Sequence, residues 1–122
     1  CFTGTEKELD SYLELGAYIG ITGWICDERR GAHLKALVKK IPPERFMIES
    51  DAPYLIPRSL PRDSGGSAPG RGRNEPKFLP HVARTIAAAL EKETELFAKE
   101  SSLAAGRFFG IEAAPEPVPP GA

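Results

Sequence analysis

The sequence predicts an α/β fold with parallel strands, and three observations carry that reading. Short apolar, β-favouring runs alternate with helical stripes, the connections between them are short, and the second run ends in an acidic pair. That run, Arg45-Phe-Met-Ile-Glu49, delivers Glu49 and Asp51 to a proline-broken turn. Folds of this class bind their ligands outside the carboxyl ends of the strands, so a strand-tip carboxylate is a candidate for chemistry.

The elements follow in chain order. Thr5 and Glu8 form a capping box, Leu9, Tyr12 and Leu13 share one helical face, and Gly16 supplies a stop. Ala17 to Thr22 reads as a buried strand, with Gly20 inside it and Gly23 after it. From about Glu28 the spacing of Leu34, Leu37, Val38 and Ile41 predicts a helix that Pro42 and Pro43 end. The strand Arg45 to Glu49 comes next, and short right-handed crossovers make the two strands parallel. Pro57 to Arg73 then holds four arginines against one aspartate, a long basic loop of the kind that is functional or disordered. Helical spacing returns at Val82, Ile86, Ala89 and Leu90, with Pro80 in the first turn. Two short helices are expected after it, with Thr94 and Ser102 as caps, Leu96, Phe97, Leu103, Phe108 and Phe109 as packing residues, and Gly110 as the stop. The reading divides the chain into a domain over 1–111 and a disordered, proline-rich tail over 112–122.

Sixteen Lys and Arg against seventeen Asp and Glu give a net charge of -1, so no global basic field announces a nucleic-acid partner. Two cysteines, Cys1 and Cys26, make neither a disulfide framework nor a metal-binding cluster, which points to a reducing, cytoplasmic setting. No apolar run has the length of a membrane span, and no membrane association is expected. Cys1-Phe-Thr-Gly4 already reads as a strand tip, so the expectation is that the chain is the downstream part of a longer protein.

Asp51 is the leading candidate: a carboxylate there can bind a hard divalent cation, orient a water or accept its proton. Glu49, two residues earlier, shares its face if the strand continues, as either a second metal ligand or a structural acid. His33 and His81 fall on expected helices and read as surface residues. Arg58, Arg62, Arg71 and Arg73 carry forked donors that suit phosphate, or else simply solvate the loop. Asn74-Glu75-Pro76 punctuates a helix start. Trp24 either stacks on a base at the same rim or packs beneath it, and Asp27-Glu28-Arg29-Arg30 reads as an ion network at a helix start.

Cys1-Phe-Thr-Gly4, Tyr18-Ile-Gly-Ile-Thr-Gly-Trp24, Cys26-Asp-Glu-Arg-Arg-Gly31, Glu49-Ser-Asp-Ala-Pro-Tyr-Leu55 and Arg73-Asn-Glu-Pro76 together resemble the TatD family of metal-dependent deoxyribonucleases, in the family's order, from Cys1 to about Ile111. The resemblance implies the C-terminal portion of a TIM (β/α)8 barrel of the amidohydrolase type, from the tip of strand six through strands seven and eight. It implies a site built from a His-x-His pair, a glutamate, two further histidines and an aspartate, of which only the aspartate maps here, as Asp51. It further implies that Asn74 and Glu75 shape the substrate rim, with the nearby arginines, Arg73 and then Arg58, toward phosphate. The implied activity is sequence-independent hydrolysis of DNA phosphodiester bonds with one or two divalent ions, magnesium first. Two other readings stand beside it: a metal-dependent hydrolase of another ester, amide or phosphoester, and a non-catalytic module that binds DNA or a partner. Ala104 departs from the asparagine often found there in the family, a matter of packing.

Overall fold

A computed structural model describes residues 1–61 and 72–111. Arg62, Arg71 and the expected tail over 112–122 lie outside the described residues. The order is α1 (Glu6–Glu14), β1 (Ile19–Ile21), α2 (Leu34–Leu37), β2 (Phe46–Ile48), α3 (Leu79–Leu90) and α4 (Thr94–Phe109), with three-ten turns at Gly23–Cys26, Val38–Lys40, Pro43–Arg45 and Pro76–Phe78. The two strands pair in parallel, Ile19 with Phe46, Gly20 with Met47 and Ile21 with Ile48, as the alternation of strand and helix implies.

The first half follows the local signals closely. Thr5 accepts from the Glu8 N–H while the Glu8 carboxylate reaches back to the Thr5 N–H at 2.7 Å, and Gly16 takes φ +77 beyond the helix. Ile19 and Ile21 are buried beside Phe46, which meets Phe97 edge-on at 5.1 Å, an arrangement worth about 0.5–1.5 kcal/mol beyond its buried area. Helix α4 packs on β2, and α3 packs on α4 and on the Gly23–Cys26 turn, which closes one core over the sheet.

Three expectations are corrected. The helix expected from Glu28 begins only at Leu34, although Leu34, Leu37, Val38 and Ile41 are all buried as their spacing requires. The cause lies upstream: Asp27 Oδ1 accepts the Arg29 and Arg30 N–H groups at 3.0 Å each, and Gly31 N–H donates to the Asp27 carbonyl at 2.8 Å, so a side chain fixes a tight turn in place of helix. A Cβ on Gly31 would collide with the Trp24 carbonyl.

The two short C-terminal helices are one helix of 16 residues. No proline interrupts it, and the buried Phe97, Ser101 and Ala104 form a single stripe at spacings of four and three. Ser102 is therefore an exposed mid-helix residue and not a cap, while Leu96, Leu103, Phe108 and Phe109 are 41–66% exposed. Gly110 ends the helix as expected, at φ +64 with Ile111 N–H reaching back to the Gly106 carbonyl at 2.9 Å.

Third, β2 closes at Ile48, and Asp51 adopts φ +54, so the alternation that would place Glu49 and Asp51 on one face does not reach Asp51.

Candidate functional site

The turn after β2 is bracketed by two non-glycine residues in left-handed conformation, Asp51 at φ +54 and Leu55 at φ +57. Each conformation costs on the order of 1–3 kcal/mol and persists only where the surroundings over-determine it. Here Asn74 does that. Its side chain is buried at 3% exposure; both Nδ2 hydrogens are used, on the Ser50 and Tyr54 carbonyls at 2.6 Å each, and Oδ1 accepts the Glu75 N–H at 2.8 Å. The Asn74 N–H donates to the Pro53 carbonyl at 3.0 Å, and the Tyr54 N–H to the Asp51 carbonyl at 2.8 Å. The turn is thus tied from inside, and the Asp51 side chain stands exposed at the strand tip.

Glu49 is placed differently. Its Oε2 lies 2.6 Å from the Cys1 backbone nitrogen, and its carboxyl occupies the space a Cβ on Gly20 would need. Among the described residues no group of three or more His, Cys, Asp or Glu side chains could hold a metal ion. Asp51 fits as one ligand position; the described residues do not make a complete metal site.

Trp24, Asp27, Arg30, Tyr54, Arg58 and Gly72 line a cleft of about 400 Å³ that shares the Pro53–Tyr54 wall with the Asp51 turn. Its organising group is the Asp27 carboxylate, 7% exposed, which accepts Arg30 Nε at 3.0 Å and an Arg58 terminal N–H at 3.2 Å in addition to its two backbone donors. The Arg30 N–H, foremost, and then the guanidinium groups hold the Asp27 carboxyl well below the usual carboxylate range despite its burial. The Arg30 guanidinium lies 4.8 Å from the centre of the Trp24 ring, and Trp24 Nε1 donates to the Arg30 carbonyl at 3.3 Å. Trp24 is half-buried against the core, whereas Tyr54 is 75% exposed.

The remaining sequence candidates separate. Arg73 is exposed beside Asn74, and Glu75 pairs with Lys77 at 2.5 Å. His33 Nε2 lies 3.2 Å from the Gly4 carbonyl, and His81 Nε2 lies 2.8 Å from Ser59 Oγ, so neither joins Asp51. The sequence reading missed Tyr54 and the part that Arg30 plays. Asp27-Glu28-Arg29-Arg30 carries a local turn signal, but the reach of Asp27 to Arg58 crosses 31 positions and exists only in the folded chain.

The sequence model of the family described as "TatD related DNase" matches residues 1–110. Among curated relatives, the chain is 45% identical over 113 residues to the 3'-5' ssDNA/RNA exonuclease TatD of Klebsiella pneumoniae, covering 92% of this chain and 41% of that protein. It is 59% identical over 87 residues to the protein of the same name from Edwardsiella piscicida, covering 71% of this chain and 32% of the relative. The chain therefore spans less than half the length of these relatives. Among solved structures, a TatD family hydrolase from Entamoeba histolytica superposes with a TM-score of 0.76 at 24% identity, over 92% of this chain and 41% of that one. A TatD homologue from Escherichia coli gives 0.75 at 19% identity, over 91% and 39%. These neighbours carry the TIM-barrel fold of the amidohydrolase type, and the α/β elements here correspond to a portion of it. With strand-tip aspartate, glycine-bounded Trp24 turn and Asn74 clamp all lying inside the matched span, the chain belongs to the TatD-related DNase family.

Proposed function

We propose that this chain supplies the strand-tip carboxylate and part of the substrate cleft of a metal-dependent nuclease that hydrolyses phosphodiester bonds in single-stranded nucleic acid. The observation that carries the reading is Asp51: exposed, in a left-handed conformation, and set in a turn whose Ser50 and Tyr54 carbonyls are both tied by a buried asparagine. Rigid presentation of one ionisable group at a strand tip is what positioning of a metal ligand or an attacking water demands. The curated relatives are named as single-stranded DNA and RNA exonucleases, which supports widening the substrate from the DNA expected to RNA as well.

Family nucleases are metal-dependent hydrolases. A bound divalent ion, magnesium first, supplies charge neutralisation at phosphate and a more acidic water; Asp51 is the ligand this chain would contribute, with the others drawn from outside the described residues. What the chain's own residues do is separate from that ion. Arg58 and Arg73 neutralise backbone phosphate without reading sequence, Trp24 and Tyr54 form an aromatic wall at the cleft, and Asn74 and Glu75 hold the rim in place. Sequence-independent cleavage and cytoplasmic residence belong to the same proposal; the unpaired thiols of Cys1 and Cys26 support the latter.

The test is hydrolysis of labelled single-stranded DNA and RNA by the full reading-frame product, with magnesium and with chelator. Degradation of both strands that chelator abolishes is the expected result. Intact strands beside turnover of a non-nucleotide ester or amide would overturn it.

A further inference from the structure

We infer that Glu49 is a positioning residue for the Asp51 turn: its carboxyl crosses β1 above Gly20, holds the strand tip at Cys1, and sets three strand tips in one frame. The inference rests on the nuclease reading in one respect, that this frame is the one in which a strand is cut. Consecutive carbonyls of β1 serve its two edges. The Gly20 carbonyl accepts the Phe2 N–H at 2.9 Å on one edge, and the Ile21 carbonyl accepts the Glu49 N–H at 2.9 Å on the other. Residues 1–3 and β2 therefore flank β1, and the reach from Glu49 to Cys1 spans it. Glycine makes the crossing possible, because a Cβ on Gly20 would collide with the Glu49 carboxyl. Glu49 Oε2 is buried, and among the described residues the Cys1 nitrogen at 2.6 Å is the polar group that meets it. That contact needs a single N–H, which the nitrogen keeps as an amide when a residue precedes it.

The far tip is tied onward. Cys1 Sγ lies 3.1 Å from Thr22 Oγ1, and Thr22, 1% exposed, accepts the Trp24 N–H at 3.2 Å where the Gly23–Cys26 turn begins. One carboxyl thus joins the segment that leads into Asp51 to the turn that carries Trp24. A solvated acid at a strand end needs neither a glycine beneath it nor a partner beyond the neighbouring strand. Glu49 has both, which makes it a support for the Asp51 turn and not a second ligand beside it.

The experiment compares the full reading-frame product with Glu49→Gln, Glu49→Ala, Gly20→Ala and the Glu49→Ala/Gly20→Ala double variant. Hydrogen exchange at the Phe2 and Trp24 amides reads the strand tips without any substrate, and exchange at Ile86, in the core of α3, reads global stability. Glu49→Ala should speed the Phe2 and Trp24 amides roughly three- to tenfold, the effect of about one lost hydrogen bond, and leave Ile86 parental. On a labelled single-stranded oligonucleotide it should lower kcat at least about tenfold with KM little changed. Glu49→Gln keeps an acceptor oxygen and should keep parental exchange and kcat. Gly20→Ala displaces the carboxyl and should behave as Glu49→Ala does. The double variant refills the space but lacks the link, so its strand-tip exchange should stay fast. Parental exchange in Glu49→Ala, fast exchange with parental kcat, recovered exchange in the double variant, or a Glu49→Gln as impaired as Glu49→Ala would each overturn the assignment. The expected exchange beside a parent that cuts no strand would sink the nuclease reading and leave the Glu49 link standing. Strand cutting with parental exchange in Glu49→Ala would sink the link alone.

Discussion

Replacing Asn74 tests whether the Asp51 turn is held from inside. Asn74→Ala removes three side-chain hydrogen bonds, two at 2.6 Å to the Ser50 and Tyr54 carbonyls and one at 2.8 Å from the Glu75 N–H. At 3% exposure water replaces none of them readily. Each such bond contributes about 0.5–1.5 kcal/mol net, so the loss comes to roughly 2–4 kcal/mol. With a urea slope of about 2 kcal/mol/M the unfolding midpoint should fall by about 1–2 M. Asn74→Asp is the sharper arm. It keeps the shape but turns a carboxylate oxygen toward two carbonyl oxygens, so near neutral pH it should destabilise more than alanine does. Lowering the pH protonates that carboxyl, restores one donor and should recover part of the loss. Equilibrium urea unfolding of the three proteins at pH 7 and pH 4 reads all of this. A midpoint for Asn74→Ala within about 0.3 M of the parent, or an Asn74→Asp variant no worse than alanine, would refute the clamp.

Other expectations follow from the same geometry. Gly31→Ala drives a Cβ into the Trp24 carbonyl and should cost about 1–3 kcal/mol while shifting Trp24 emission; an unshifted spectrum at full stability would contradict the packing. Burial first, and then the Arg84 charge, depress the His81 pKa below its ordinary 6.5. The unfolded chain therefore takes up the proton first, so stability is full above about pH 6.5 and declines as pH falls through the histidine range. His81→Gln should flatten that part of a thermal-melting profile, and parallel profiles would rule the contribution out. Burial also raises the Cys26 thiol, 4% exposed, whereas Cys1 is exposed. An alkylating reagent should modify Cys1 promptly and Cys26 only as the protein unfolds; simultaneous labelling would count against the burial.

The sequence announced whatever depends on neighbours a few positions apart. The capping box at Thr5 and Glu8, the Leu34–Ile41 stripe, the two strands and the Gly110 stop all rest on local chemistry, and all appear. Where long-range contacts decide, the pattern misled. Ser102 has the chemistry of a cap, but the stripe of Phe97, Ser101 and Ala104 packing inward carries the helix straight through it. The start of α2 moved because the Asp27 side chain captured two backbone donors that a helix would have left to water. Asp51 could be singled out from a run of apolar residues ending in acid and proline. Its clamp could not, because Asn74 lies 24 positions from Ser50 and its signal mimics a helix start. The Asp27–Arg58 contact is equally silent in the sequence, and with it the cleft.

Asp51→Asn isolates the strand-tip carboxylate that, on the proposed reading, ligates the metal. Asparagine tolerates φ +54 about as well as aspartate does, so the substitution removes the charge and leaves the turn. Metal-dependent hydrolysis of a single-stranded oligonucleotide by the full reading-frame product would be compared for parent and variant, beside their urea midpoints. The account predicts a fall of at least about a hundredfold in rate with an unchanged midpoint. A variant that folds equally well and cuts at the parental rate would contradict it.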